Sequence, residues 1–195
     1  ARTRHACNEC RAVLCTQQRR TNRSRTRRGC DTIATTVMRH LSFSTATIEL
    51  LHIDDLPAVL DIERRSNSHP WTERNFQDAL TSGYLCLVAR GETGVCGFAI
   101  ARLLLDEAEL LLIAVSPECR RQGVAALLWN EMSERLHNNG ARVLHLEVRE
   151  SNASAQAFYV SRGLAQSGRR KRYYPSGAHG AEREDAILMQ GAMSQ

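Results

Sequence analysis

The stretch LLLIAVSPECRRQGVAALL, residues 110–128, decides the fold. An unbroken apolar run ends at Val115, Ser116-Pro117 breaks it, and Arg120-Arg121-Gln122-Gly123-Val124-Ala125-Ala126 leads straight into an amphipathic helix with Leu128, Met132 and Leu136 at four-residue spacing. The first-turn N–H groups of a helix have no internal partners, and the helix dipole favours negative charge there, so a helix starting just after Gly123 is a ready cradle for an anion. Gly123 lets the backbone approach a ligand closely, and Arg120 and Arg121 add donors that pair with phosphate. On spacing alone, a plain strand-to-helix turn with incidental arginines reads equally well.

Upstream, helix and strand signals alternate. Ile48, Leu50 and His52 open a short strand, and Asp54-Asp55 before Pro57 caps a helix carrying Leu56, Val59, Leu60 and Ile62. After Pro70, Thr72 caps a second helix with Phe76, Ala79 and Leu80. Strands are predicted over 84–89, 95–104 and 108–115, with Gly91-Glu92-Thr93-Gly94 as the first turn. Downstream, Asn139-Gly140 stops the long helix, residues 142–148 form a strand, and Asn152 caps a short helix ended by Gly163. Tyr173-Tyr174-Pro175, a Gly-rich loop and a strand over 185–189 follow. The order predicts an α+β fold, a mixed sheet layered with helices.

A second constellation is HLEVRESNASAQAFYVSRG, residues 145–163. Along the strand Val143, His145 and Glu147 share one face and Leu144, Leu146 and Val148 the other, so Glu147 projects away from the more apolar side. It is there as a general base or as part of a solvated face. Tyr159, beside Phe158, is either a proton donor or core packing.

Arg120-x-x-Gly123-x-Ala125 resembles the pyrophosphate-binding motif of the GNAT acetyltransferases, (Gln/Arg)-x-x-Gly-x-(Gly/Ala). The resemblance extends from about Ile48 to Met189 and is specific to those members that acetylate the N-terminal alanine of a ribosomal protein. It is carried by His69-Pro70-Trp71, LDEAELLLIAV over 105–115, RRQGVA, LEVRESNASA followed by Phe158-Tyr159, and Tyr173-Tyr174-Pro175 with REDAILM. It implies a mostly antiparallel sheet of about seven strands flanked by about four helices. Acetyl-CoA would be the co-substrate and no metal would be needed. Ile113, Ala114 and Val115 would pair with the pantetheine arm, Arg120 to Ala126 would hold the pyrophosphate, and Asn152 would add a contact. Glu147 would accept the proton and Tyr159 would donate one. The acceptor would be a protein N-terminus in the cytoplasm, on a small-subunit ribosomal protein. A GNAT enzyme acting on small amines is the alternative, as is a basic-tailed module associated with ribosomes or nucleic acid.

The 195 residues carry a net charge of +5. Residues 1–37 hold nine Arg against Glu9 and Asp31, or +7, which leaves 5 − 7 = −2 for the rest. The basic character belongs to a tail, so a nucleic-acid partner is expected only through it. Residues 1–43 read as a disordered Arg-rich extension, with too few apolar residues to offset ordering entropy, and 44–195 as the domain. Residues 1–37 are either sequence upstream of a start at Met38, a targeting-like segment or a basic arm. No stretch is apolar for the roughly 18 residues that span a bilayer, so the chain is expected to be soluble, without a membrane partner. Cys7-x-x-Cys10 lacks a second ligand pair, so no zinc site is expected. Asp106, Glu107, Glu109, Glu182, Glu184 and Asp185 are either a solvated charge run or a negative surface facing a basic peptide.

The chemistry narrows the acceptor. An α-amine has a reference pKa of about 7.7–8.0, so stripping its proton at pH 7 costs about 1–1.4 kcal/mol, against about 4.6 kcal/mol for a lysine near 10.4. A carboxylate base suits an α-amine better than a lysine.

Overall fold

Thr72 Oγ1 accepts the Asn75 amide and Asn75 Oδ1 accepts the Thr72 amide, a reciprocal cap that starts the second helix where the sequence places it. The computed structural model describes residues 46–176 and 182–193. In chain order the elements are β1 (Thr47–Leu50), α1 (Leu56–Ser66), α2 (Glu73–Thr81), β2 (Leu85–Gly91), β3 (Gly94–Leu104), β4 (Glu107–Val115), α3 (Val124–Asn138), β5 (Val143–Arg149), α4 (Ala153–Ser161), β6 (Ala165–Ser176) and β7 (Glu182–Ala192). The expected disorder of residues 1–43 and Cys7, Cys10, Cys15 and Cys30 lie outside the described residues. Among those described, no helix is long and apolar enough to cross a membrane, and no three metal-ligating side chains cluster.

The seven strands form one sheet in the order β1-β2-β3-β4-β5-β7-β6. Only β4 and β5 run parallel, joined by the crossover helix α3 that such a pair requires. Helices cover both faces. Phe76 of α2 and Val59 and Ile62 of α1 pack on Val88, Phe98 and Ile100. On the other face Leu128, Met132 and Leu136 of α3 and Tyr159 of α4 pack on Ala99, Leu146 and Val148. Each such Leu or Met, fully withdrawn from water, contributes about 1.5–3 kcal/mol.

β4 is the element on which the site turns. Against β3 its register steps from Ile100↔Leu112 to Ala101↔Leu110, so Leu111 is an extra residue, a β-bulge. The bulge reverses the alternation: Leu111 and Leu112 both join the α1–α2 side, while Leu110 and Ile113 face α3. The unbroken apolar run tolerates this reversal, because either face of the strand is buried. Close beside it, Gly97 lets β3 approach; a Cβ there would stand 2.8 Å from the Ala114 carbonyl oxygen.

β6 is longer than the sequence suggests. Tyr173-Tyr174-Pro175 sits inside a strand that begins at Ala165, paired with β7 through two register shifts. Residues 165–172 are polar on both faces because β6 is the sheet edge, which leaves no alternation to read.

Candidate active site

The site begins where β4 and β5 part. They pair only from Glu107↔Val143 to Leu110↔Leu146, and the bulge at Leu111 coincides with the last rung. Beyond it Ile113, Ala114 and Val115 keep their β3 partners but have none on β5, so a backbone edge opens into a wedge between the strands. An extended chain with amide groups could add to that edge as a strand does.

At the wide end lies the anion cradle. Gly123 caps α3 with φ +84° and Arg121 sits at φ +64°, so the loop alternates hand and points successive amides outward. No side chain caps α3, and its first amides are left for a ligand. A cavity of about 700 Å³ opens here, lined by Val115, Arg120, Arg121 and the residues from Gly123 to Ala126. Sequence reading missed its far wall, Ser154, Ala157 and Phe158 of α4 with Arg162 just past its end; their three- and four-residue spacing was the available signal.

Three expected contacts do other work in this structure. Arg120 donates from Nε to the Val115 carbonyl at 3.1 Å and from Nη2 to Ser66 Oγ at 3.2 Å, so it fastens the loop to α1. Gln122 Nε2 donates to the Glu118 carbonyl at 2.9 Å. Asn152 Oδ1 accepts the Ala155 amide at 3.1 Å and caps α4. Glu118 accepts from Ser116 Oγ and Arg65, which draw its pKa down to about 2. Cys119 is buried, and burial with Cys96 alongside pushes its thiol up to about 11, far from a nucleophilic thiolate.

Glu147 and Tyr159 lie on opposite faces of the sheet. Glu147, in β5 just past the last rung, is 7% exposed, so it is no part of a solvated face. Arg170 Nη1 stands 3.0 Å from its Oε1, while Oε2 is buried without a partner among the described residues. Burial raises its pKa, Arg170 and a hydrogen bond from Tyr173 pull it back, and Glu109 pushes it further up. Its cleft, about 330 Å³, also holds Arg102, Glu109 and His145.

Tyr159 is fully enclosed against Trp129 and Phe158, with ring centroids 5.7 and 5.6 Å away. Its hydroxyl is buried with no hydrogen-bond partner among the described residues. Burial and the neighbouring Tyr174 push its pKa well above the usual phenol value, so it stays protonated. Such a hydroxyl costs about 1–3 kcal/mol unless something satisfies it. Trp71 of the His69-Pro70-Trp71 turn is packed inside against Phe76.

The chain is similar in sequence and fold to known proteins. The chain is 41% identical over 143 residues to the [ribosomal protein bS18]-alanine N-acetyltransferase of Salmonella typhimurium, which covers 73% of this chain and 95% of the relative. The crystal structure of the ribosomal-protein-S18-alanine N-acetyltransferase from Escherichia coli superposes with a TM-score of 0.71 at 39% identity, over 77% of this chain and 95% of that one. A GNAT superfamily phosphinothricin acetyltransferase from Sinorhizobium meliloti, solved in complex with AcCoA, gives a TM-score of 0.65 at 25% identity over 77% and 89%. Residues 56–164 match the acetyltransferase (GNAT) family, and with the parted β4 and β5 and the uncapped start of α3 this chain belongs to that family of enzymes.

Proposed function

We propose that the protein transfers the acetyl group of acetyl-CoA to the N-terminal α-amine of a protein, most specifically the N-terminal alanine of a small-subunit ribosomal protein in the cytoplasm. The observation that carries this reading is the wedge between β4 and β5, with a buried carboxylate on one face, a buried hydroxyl without a partner among the described residues on the other, and an anion cradle at its wide end. Relatives named for alanine acetylation on ribosomal protein bS18 support the choice of acceptor.

The residues present fit acetyl-CoA. The cradle at Arg121 and from Gly123 to Ala125 offers amides to its pyrophosphate, Ala126 lines it while its own amide bonds the Gly123 carbonyl at 2.9 Å, and the open edge of Ile113, Ala114 and Val115 offers ladder groups to its amide-bearing arm. When bound, acetyl-CoA supplies an activated thioester. Glu147 takes the proton of the attacking α-amine, directly or through water, and its raised pKa brings it closer to that of the amine. Tyr159 holds its proton and donates a hydrogen bond to the leaving sulfur. A thiol near 8.5 is a stronger acid than an ordinary phenol by about 2 kcal/mol, and the raised Tyr159 pKa widens that gap, so the hydroxyl acts by hydrogen bonding and full transfer is not required. Asn152 acts indirectly, by setting the start of α4, which bears Tyr159.

Incubation with acetyl-CoA and three peptides tests the reading: one starting with Ala, one starting with Ser, and one with a blocked N-terminus and a free lysine. Fast turnover of the Ala peptide supports it. Turnover confined to the lysine peptide or to small amines would overturn it.

A further inference from the structure

The last turn of α1 and the loop that follows it are fastened on both sides of the wedge. On the β4 side Arg65 pairs with Glu118, and Arg120 donates to Ser66 Oγ at 3.2 Å; both partners belong to the loop that leaves β4. On the β5 side Arg149, the last residue of that strand, reaches Ser68 Oγ at 3.4 Å. Residues 66–68 therefore run from the end of one diverging strand to the end of the other. From within, Asn67 Nδ2 and the Trp71 amide both donate to Glu63 Oε1, at 3.1 Å each, which holds the loop's shape.

Arg149 is the joint of this arrangement. Its guanidinium lies 3.3 Å from Glu184 Oε1, donates to the Pro175 carbonyl at 3.0 Å and stacks over the Tyr174 ring at 4.6 Å. One planar fork thus binds the end of β5 to the paired strands β6 and β7 and to the α1–α2 loop. Lysine, with a point charge and no plane, cannot make these contacts together.

We propose that residues 66–68 are a strap across the mouth of the wedge on the Glu147 face, and that Arg149 is the positioning residue that sets it against the acceptor. This rests on the acetyl-transfer reading in one respect only: what passes beneath the strap is the acceptor amine. The anchors to Glu118 and Arg120 tie the strap to the cofactor loop. Arg149 ties it to the acceptor wall alone, so its loss moves acceptor binding without moving the cradle.

The test compares Arg149→Gln, Arg149→Lys and Ser68→Ala with the parent in the full chain. Arg149→Gln is expected to raise the KM of the Ala-starting peptide about tenfold or more, with kcat changed less than about threefold and acetyl-CoA affinity by calorimetry unchanged. Arg149→Lys should not rescue it, and Ser68→Ala should give a smaller rise of the same kind. Amide hydrogen exchange at residues 66–69 should quicken in all three. Unchanged exchange there would overturn the strap whatever the acceptor is, and so would a fall in acetyl-CoA affinity matching the rise in KM. A parent enzyme that ignores the peptide while exchange still responds would overturn the acceptor assignment and leave the strap standing.

Discussion

Arg170 Nη1 lies 3.0 Å from Glu147 Oε1, so the buried carboxylate of β5 is partnered by a cation that belongs to the edge strand, on the far side of β7. The pair sets the working range of the proposed base. Removing Arg170 removes the larger of the two causes that lower the Glu147 pKa, leaving the Tyr173 hydrogen bond against the burial that raises it. Arg170→Gln is expected to move the acid limb of kcat/KM to higher pH, which a pH-rate profile on the Ala peptide measures; an unmoved limb would exclude Glu147 as the group titrating there.

The same burial makes Glu147 a stability liability. Its folded pKa is raised, so the fold prefers the protonated form; the penalty is absent below the unfolded value near 4.5 and grows as pH rises through the folded pKa. Glu147→Gln should therefore melt higher than the parent at neutral pH and equally near pH 4, while losing about 10²- to 10⁴-fold in rate. Calorimetric melting at the two pH values decides this.

Tyr159→Phe deletes a hydroxyl that has no hydrogen bond to lose among the described residues and keeps the ring packed on Trp129 and Phe158. Tm should hold or rise, and acetyl-CoA affinity should change little, while kcat falls about 10²- to 10⁴-fold. A drop in Tm together with rate would make the residue packing and nothing more.

Gly123 is needed for its backbone. A Cβ there meets nothing within 4 Å, but φ +84° is costly for any other residue. Gly123→Ala should cost about 1–2 kcal/mol of stability, or lose the loop geometry and weaken acetyl-CoA binding in titration calorimetry; Gly123→Val should do more of both.

At Gly97 the cause is contact. A methyl group would stand 2.8 Å from the Ala114 carbonyl oxygen, so Gly97→Ala must push β3 from β4 and is expected to cost about 1–3 kcal/mol in denaturant melts. Because Ala114 borders the wedge, acetyl-CoA affinity should fall with it.

Local signals carried well where residues announce a backbone state. Thr72 and Asn152 cap the helices they were expected to cap, and Gly123 stands at the start of α3. The bulge at Leu111 could not be read, because Leu110, Leu111 and Leu112 are equally apolar and a parity change leaves no trace in them. Nor could the duty of Arg120, whose partner Ser66 lies 54 residues away. Alternation put Glu147 on the face opposite Leu146, but its burial depends on β6 and β7, which return beside β5 only after α4.

Among the described residues the sheet ends in β1, four residues long, and in β6, whose middle carries Arg169, Arg170, Lys171 and Arg172. A row of unpaired backbone groups invites another chain to pair with it, and consecutive cations repel a second copy of the same row. The arginine that tempers the proposed base thus also helps keep this sheet from growing into its neighbour's, so the cluster guards solubility with the side chains that tune the site.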